Sequence, residues 1–182
     1  MIILASSSPR RKQLMKKITS NFSIVTPKVD ERMCIAPISS YALELSKIKA
    51  YEVASRYPND QILACDTIVV FNNKIINKPK DNQDAKNILK MLSGKKHIVI
   101  SGYTYIDKQC EINHSVKTYV TMNKLSDDLI NEYVSKGYAK DKAGAYGIQD
   151  NFPLVNHIEG SFDNVMGFPT EDIIKHIKNK LL

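Results

Sequence analysis

The 182-residue sequence contains no apolar run long enough to span a membrane, and no basic segment precedes the apolar residues at its start. We therefore expect no signal peptide, no membrane partner and a cytoplasmic location. The three cysteines, Cys34, Cys65 and Cys110, are far apart and form no CxxC pair, which is typical of reduced thiols in a cytosolic protein. The four histidines are equally scattered, so a metal site built from histidine and cysteine is not expected.

The common nucleotide and hydrolase motifs are also missing. The sequence has no GxGxxG, no GxxxxGK[ST], no GxSxG and no HExxH, and it shows neither a ribonucleoprotein-type aromatic strand nor a helix-turn-helix pattern. These absences exclude the usual phosphate loops, the serine-hydrolase elbow and the zinc-protease helix. A phosphate site here has to use serines, arginines, lysines and helix N-terminal amides.

The composition is that of one globular domain covering residues 1–182. Hydrophobic residues make up 43% and charged residues 25% of the chain, and the net charge of +7 favours polyanionic partners. Apolar runs alternate with helical patterns, which predicts an α/β fold. Residues 62–71 have the pattern of a central buried strand, Asn72 and Asn73 suit a hairpin turn, and Asp81 suits a helix N-cap.

The N-terminal stretch ASSSPRRKQLM follows a predicted strand, Ile2–Ala5. Ser8 is a good N-cap and Pro9 suits the first helical position, so a helix is predicted from Pro9 onwards. The hydroxyls and the positive charge of Arg10 and Arg11 allow two interpretations. They form either a phosphate site or the solvated basic face of a capped surface helix.

Asp66 interrupts the apolar run ILACDTIVV. A carboxylate in the middle of a sheet is costly to bury unless it is paired, hydrogen-bonded or bound to a metal. One interpretation is therefore a metal ligand or a general base. The alternative is an aspartate at a frayed strand start, where it caps a local turn.

Lys49 lies on a helix predicted for residues 39–56, with Tyr41, Leu45, Ile48 and Glu52 along one line. Lys49 falls at the edge of that line, where its ammonium could reach a cleft or lie along the surface. Glu31 follows a predicted strand as part of VDER, and Lys78 stands between a hairpin and a helix. Each of these two is as compatible with a solvated loop as with a site.

Eight segments, taken together, resemble the Maf family of nucleoside triphosphate pyrophosphatases. In order they are LASSSPRR, VDER, LSKIKA, LACDTIVV, INKPKD, LSGKKHIVISG, DKAGAYGIQ and GSFDNVMGFP. The resemblance covers nearly the whole chain. It implies a twisted mixed β-sheet flanked by helices, with two lobes and a central cleft, as in inosine triphosphatases.

The resemblance also implies an activity. Members of the family hydrolyse a nucleoside triphosphate to its monophosphate and pyrophosphate with a divalent cation, Mg²⁺ or Mn²⁺, and remove surplus or modified nucleotides from the pool. The family is also linked to septum formation, and its members often form homodimers. We expect this chain to act in the same way, with a nucleoside triphosphate as its partner and no stable complex with nucleic acid.

Site residues carry over by position. Phosphate oxygens would be held by Ser6, Ser8, Arg10 and Arg11. Two lysines, Lys49 and Lys78, would neutralise the charge of the triphosphate. Glu31 and Asp66 would hold the metal, with Asp66 also expected as proton acceptor for the attacking water. All of these assignments rest on the resemblance.

Three positions bear on the base. Arg10, Thr67 and Gln149 match the branch of the family that acts on dTTP and UTP, and Gln149 offers a donor and an acceptor to the imide edge of uracil or thymine. The chain departs from the family at Asp150, where a glycine is common after GIQ, and before DKAGAY, where GEPx is replaced by GYAK.

Three rival hypotheses stay open at this point. The positive charge allows a nucleic-acid-binding protein without turnover, although stacking aromatics beside the basic residues are missing. A division regulator that acts through protein partners is a second. A pyrophosphatase that acts on inosine or xanthosine triphosphate is the third.

Overall fold

The computed structural model describes residues 1–180, and within them seven strands form one mixed sheet. The strands are β1 (Ile2–Ala5), β2 (Phe22–Val25), β3 (Gln61–Phe71), β4 (Lys74–Ile76), β5 (Lys96–Ile106), β6 (Glu111–Met122) and β7 (Val155–Glu159). Their order is β2-β1-β3-β5-β6-β7, with β4 paired to β3. Strand β1 runs parallel to β2 and β3, whereas β3 with β4 and β6 with β7 are antiparallel.

Six α-helices flank this sheet. They are α1 (Pro9–Met15), α2 (Ile38–Arg56), α3 (Asn82–Leu92), α4 (Asp127–Ser135), α5 (Phe162–Met166) and α6 (Thr170–Ile177). The predicted α/β class with a mixed, helix-flanked sheet is thus confirmed. The sequence also predicts a last helix for residues 170–182; α6 ends at Ile177, and the final two residues lie outside the described part. Among residues 1–180, no helix is both long and apolar enough to cross a membrane.

The residues divide into two compact units. The first contains Met1–Thr67, Ser101–Val116 and the described part of Gly167–Leu182, and the second contains Ile68–Ile100 and Lys117–Met166. Strands β3, β5 and β6 each contribute residues to both units.

In the first unit, β1, β2 and the first half of β3 lie side by side, with β1 in the middle. Small and branched apolar residues of β1, α2 and β3 form its core: Ile3, Ala5, Ala50, Val53, Ile62 and Ala64. Helix α2 comes very close to β5, because a Cβ added to Gly102 would lie 2.3 Å from the Cα of Leu43. Only a glycine at position 102 allows this approach.

The buried face of α2 differs from the predicted line of residues. Ala42, Leu45, Ser46, Lys49 and Ala50 are buried, whereas Ile48 is exposed. On a helix, the residues three and four positions after Leu45 both lie near its face, and these are Ile48 and Lys49. A small rotation of the helix about its axis therefore decides which of the two is buried. The predicted line of residues is therefore not the buried face of α2, and Lys49 lies on the buried face itself.

In the second unit, apolar residues of α3, α4 and the strands form a core that includes Leu89, Val120, Ile130, Tyr133 and Tyr146. Two local predictions are confirmed here. Asn72 and Asn73 both have positive φ, as a tight hairpin turn requires, and the side chain of Asp81 caps α3 by accepting from the amide of Asp84 at 2.8 Å.

His97 is a buried titratable group of this second core. Its Nε2 lies 2.7 Å from the hydroxyl of Tyr146, and burial lowers the pKa of His97 to about 4. In the unfolded chain a histidine has a pKa of about 6.5. Between these two values the unfolded chain binds one proton more than the folded protein, so stability falls as pH falls.

We therefore expect the free energy of unfolding to decrease by about 3 kcal/mol from pH 6.5 to pH 4 through His97 alone. Urea unfolding of the wild type and of His97→Gln across this range measures the effect. The wild type should lose stability more steeply than the variant. The matched control His157→Gln, at an exposed position of β7, should keep the wild-type slope, and equal slopes for all three proteins would contradict the assignment.

Candidate functional site

Helix α1 begins as the sequence predicted. Pro9 is its first residue, and Ser8 caps it by accepting a hydrogen bond from the amide of Arg11 at 3.4 Å. The hydroxyl of Ser6 is buried and accepts from the amide of Ser8 at 3.1 Å. The two serines therefore hold the turn between β1 and α1. Arg10 and Arg11 follow this turn in the first turn of α1, and both are half-buried.

Arg11 joins α1 to the strand that carries Asp66. Its Nε donates to the carbonyl of Gly167 at 2.9 Å, and its Nη2 lies 3.4 Å from Oγ1 of Thr67. Thr67 Oγ1 also contacts the carbonyl of Gly167 at 3.2 Å and Oγ of the buried Ser101 at 2.7 Å. Thr67 and Arg11 therefore belong to one hydrogen-bonded cluster. Its other two members, Ser101 and Gly167, were not predicted from the sequence.

Asp66 lies in the middle of β3, with its neighbours Ala64 and Cys65 fully buried. It is only 8% exposed, so the interpretation as a frayed strand start is wrong. Lys49 is 7% exposed and forms a hydrogen-bonded ion pair with Oδ1 of Asp66. A buried carboxylate is thus compensated by a buried ammonium, as its desolvation requires.

Glu31 completes this group from the chain segment between β2 and α2. It begins the short helical turn Glu31–Met33, which Asp30 caps by accepting from the amide of Arg32 at 3.1 Å. Oε1 of Glu31 lies 2.7 Å from Nζ of Lys49, while 57% of the Glu31 side chain is exposed. Lys49 therefore contacts two carboxylates, one buried and one open to solvent.

Two groups next to these carboxylates were not selected from the sequence. Burial raises the pKa of Cys34 and of Tyr41, and the negative charge of Asp66 raises both further. Both groups therefore stay neutral near neutral pH.

Lys78 and Gln149 belong to the second unit. Lys78 is exposed in the segment between β4 and α3. Gln149 follows the turn Ala143–Ala145, and its Nε2 donates to Oδ1 of Asp150 at 2.9 Å. Its Oε1 is buried and accepts no hydrogen bond from any residue in 1–180.

The fold also gathers His114, Asp172 and His176, whose ligand atoms lie within 4.8 Å of one another. The two imidazole rings stack at 3.8 Å between centroids and are tilted by 25°. Ring lone pairs lie in the ring plane, so stacked rings direct them side by side and not toward one ion. Tyr103 donates to Asp172 at 2.8 Å, and the cluster packs β6 against α6.

Two solved structures share this fold. The Ham1 protein of Staphylococcus aureus matches with a TM-score of 0.55 and 11% identity over 99% of this chain and 97% of its own. A HAM1 protein from Coxiella burnetii matches with a TM-score of 0.56 and 13% identity over 99% and 97%. The chain is therefore an α/β protein with a fold similar to that of the Ham1 proteins.

The chain belongs to the Maf-like protein family, whose sequence model matches residues 1–180. A dTTP/UTP pyrophosphatase of Pyrococcus furiosus is 43% identical over 182 aligned residues, which cover 97% of this chain and 94% of the relative. A dTTP/UTP pyrophosphatase of Thermosipho melanesiensis is 43% identical over 173, covering 94% and 93%. The family predicted from the eight segments is thus confirmed.

The ion pair of Lys49 makes a prediction about stability. Lys49→Met leaves Asp66 buried without its counter-charge, and loss of one partner from such a pair costs about 3 kcal/mol or more. Lys47→Met is a matched control on the same helix, since Lys47 pairs with Glu44 at a partly exposed position. Urea unfolding at pH 7 should show a loss below about 1 kcal/mol for the control. Equal losses in the two variants would contradict a buried, compensated pair.

Proposed function

We propose that this chain hydrolyses nucleoside triphosphates, with dTTP and UTP as its main substrates, to the monophosphate and pyrophosphate. The observation that carries this proposal is the buried carboxylate of Asp66, which the ammonium of Lys49 holds beside the exposed Glu31. Two carboxylates and one fixed cation form a group that can bind phosphate, hold a proton and hold a metal. The names of the relatives support the same reaction.

In the proposed reaction a water molecule attacks the α-phosphorus, and the bond from that phosphorus to the bridging oxygen breaks. The proton of the water passes to the carboxylate of Asp66, and pyrophosphate leaves with the bonding electron pair. Lys49 contacts Asp66 and thereby fixes the direction of the carboxylate. A positioned general base of this kind contributes about 10² to 10⁴ in rate.

Glu31 and Asp66 fit a hard divalent cation. Their carboxylates lie near each other, because each contacts the ammonium of Lys49, and an ion would bind beside that ammonium. Mg²⁺ is usually held by one or two carboxylates together with substrate phosphates and waters, and Mn²⁺ accepts similar oxygen ligands. When bound, the ion would supply positive charge to the leaving pyrophosphate.

Phosphate binding is proposed for the basic and hydroxyl groups named from the resemblance. In the first unit these are Ser6, Ser8, Arg10, Arg11 and Lys49. Charge-assisted hydrogen bonds from arginine to phosphate are about twice as strong as neutral ones, and the lysine adds a compact charge. Lys78 of the second unit is proposed to neutralise the triphosphate from its exposed loop.

Base preference is proposed for Arg10, Thr67 and Gln149. The unpaired, buried Oε1 of Gln149 is an acceptor that can take the N3–H of uracil or thymine. Cytosine carries no hydrogen at this nitrogen. Hypoxanthine and xanthine carry a comparable N1–H, so this acceptor disfavours cytosine, and the triphosphate panel described below tests the inosine and xanthosine alternative.

The cellular setting is proposed from the family alone. We infer that the protein acts in the cytoplasm as a homodimer and that it removes surplus or modified pyrimidine nucleotides. The protein would then influence septum formation either by changing nucleotide levels or by binding other proteins.

The test is pyrophosphate release from a panel of dTTP, UTP, CTP, purine triphosphates and 7-methyl-GTP, with Mg²⁺ or Mn²⁺. We expect turnover of dTTP and UTP that stops on chelation and returns with either metal. Asp66→Asn should lower kcat by about 10² to 10⁴, whereas Asp127→Asn, at an exposed ion pair with Lys90, should not change it.

The fold of each variant is checked by circular dichroism. If no triphosphate is hydrolysed with either metal, the proposal is wrong, and salt-dependent binding of DNA or RNA would support the nucleic-acid hypothesis instead. If Asp66→Asn is folded and fully active, Asp66 is not the base.

A further inference from the structure

The carboxylate of Asp150 determines which end of the Gln149 amide is available. A carboxylate only accepts hydrogen bonds, so the Gln149 atom that lies 2.9 Å from Oδ1 of Asp150 has to be the amide nitrogen. The amide oxygen then takes the remaining position. That oxygen is the buried Oε1 without a donor among residues 1–180.

Asp150 is itself held in place by two further donors. The hydroxyl of Tyr133 donates to its Oδ2 at 2.5 Å, and Nζ of Lys142 lies 2.9 Å from the same oxygen. The side chains of Lys142 and Asp150 are only 12% and 8% exposed. Rotation of the carboxylate would break a buried ion pair, so its direction is fixed.

The loop that contains Gly147 and Gln149 is hydrogen-bonded to the same tyrosine. The amide of Gly147 donates to the hydroxyl of Tyr133 at 2.9 Å, so Tyr133 both donates to Asp150 and accepts from the loop. A Cβ added to Gly147 would lie 2.5 Å from Oδ2 of Asp150 and 2.6 Å from Nε2 of Gln149. A side chain at position 147 would therefore displace the carboxylate of Asp150 and the amide of Gln149 from their present positions.

We propose that Asp150 is a positioning residue that holds the Gln149 amide with its oxygen toward the base, and thereby makes the protein select uracil and thymine over cytosine. This inference rests on the proposed function. The N3 of uracil and thymine carries a hydrogen that Oε1 accepts. The N3 of cytosine is an acceptor, so two acceptors would meet and Oε1 would stay unpaired.

A free glutamine would not discriminate in this way. Its amide can rotate by half a turn and present Nε2 to the N3 of cytosine instead. Sequence position 149 alone therefore permits both bases. Position 150, which carries a side chain where the resemblance leads to a glycine, decides between them.

The experiment measures kcat/KM for UTP, dTTP and CTP in the wild type and in Asp150→Asn. The amide of asparagine can donate to Oε1 of Gln149, so the Gln149 amide can invert. We expect the ratio of UTP to CTP to fall at least about tenfold, since one misplaced or unpaired hydrogen bond in a binding site has an effect of this order. Asp127→Asn makes the same chemical change at an exposed position and should keep the wild-type ratio.

A parallel loss for UTP and CTP with an unchanged ratio would overturn the inference, because it would give Asp150 a purely structural role. If Asp150→Asn does not fold, Asp150→Gly replaces it. That variant places at position 150 the residue to which the resemblance leads and removes the acceptor that holds Nε2 of Gln149, so the amide can rotate and the ratio should also fall. An unchanged ratio there overturns the inference as well.

Failure of the proposed function gives a different result. In that case the wild type hydrolyses no triphosphate, whatever residue stands at position 150. Equilibrium binding of UMP and CMP to the wild type and to Asp150→Asn then decides the role of Asp150 by the same ratio. A preference for UMP that falls in the variant supports the inference, and equal binding of UMP and CMP by the wild type overturns it.

Discussion

The ion pair between Lys49 and Asp66 is the constraint on which the first unit depends. A buried carboxylate in a central strand costs several kcal/mol unless a fixed positive charge compensates it. The compensating lysine has to come from a helix that packs directly onto the sheet. The glycine at position 102 permits this packing, because a side chain there would collide with the backbone of α2 at Leu43. The geometry of the ion pair and the packing of the core are therefore set by the same approach of α2 to the sheet.

Local features of the fold could be predicted from the sequence because their causes are local. The positive φ of Asn72 and Asn73 and the cap at Asp81 each depend on a few neighbouring residues. Asp66 was also identified, because a single carboxylate inside an apolar run has few structural explanations. The buried face of α2 was not predicted correctly, because two polar residues, Ser46 and Lys49, lie on it. Ser46, one of them, finds its partner at Thr104, 2.8 Å away and 58 residues further along the chain.

The hydrogen-bonded cluster around Thr67 had no local signal either. Ser101 and Gly167 join Thr67 only because separate segments meet in the first unit, and a carbonyl acceptor carries no side-chain signature. Arg11 illustrates the same limit. Its charge suggested a phosphate ligand, and two of its guanidinium nitrogens point to Gly167 and Thr67. An arginine held in this way is pre-organised, so it loses little side-chain entropy when an anion binds.

Two aspartates each pair with a lysine whose side chain is at most 12% exposed, and the two ion pairs differ in how many further donors surround the carboxylate. In Asp150 both oxygens are occupied, Oδ1 by Gln149 and Oδ2 by Tyr133 and Lys142. A carboxylate whose two oxygens are occupied can only position its neighbours. In Asp66 the side-chain partner among residues 1–180 is Lys49, on Oδ1. In the proposed reaction its second oxygen takes up the proton of the attacking water or helps to hold a metal. The number of donors around each carboxylate, and not its burial, is therefore the observation that separates the two proposed roles, base for Asp66 and positioning residue for Asp150.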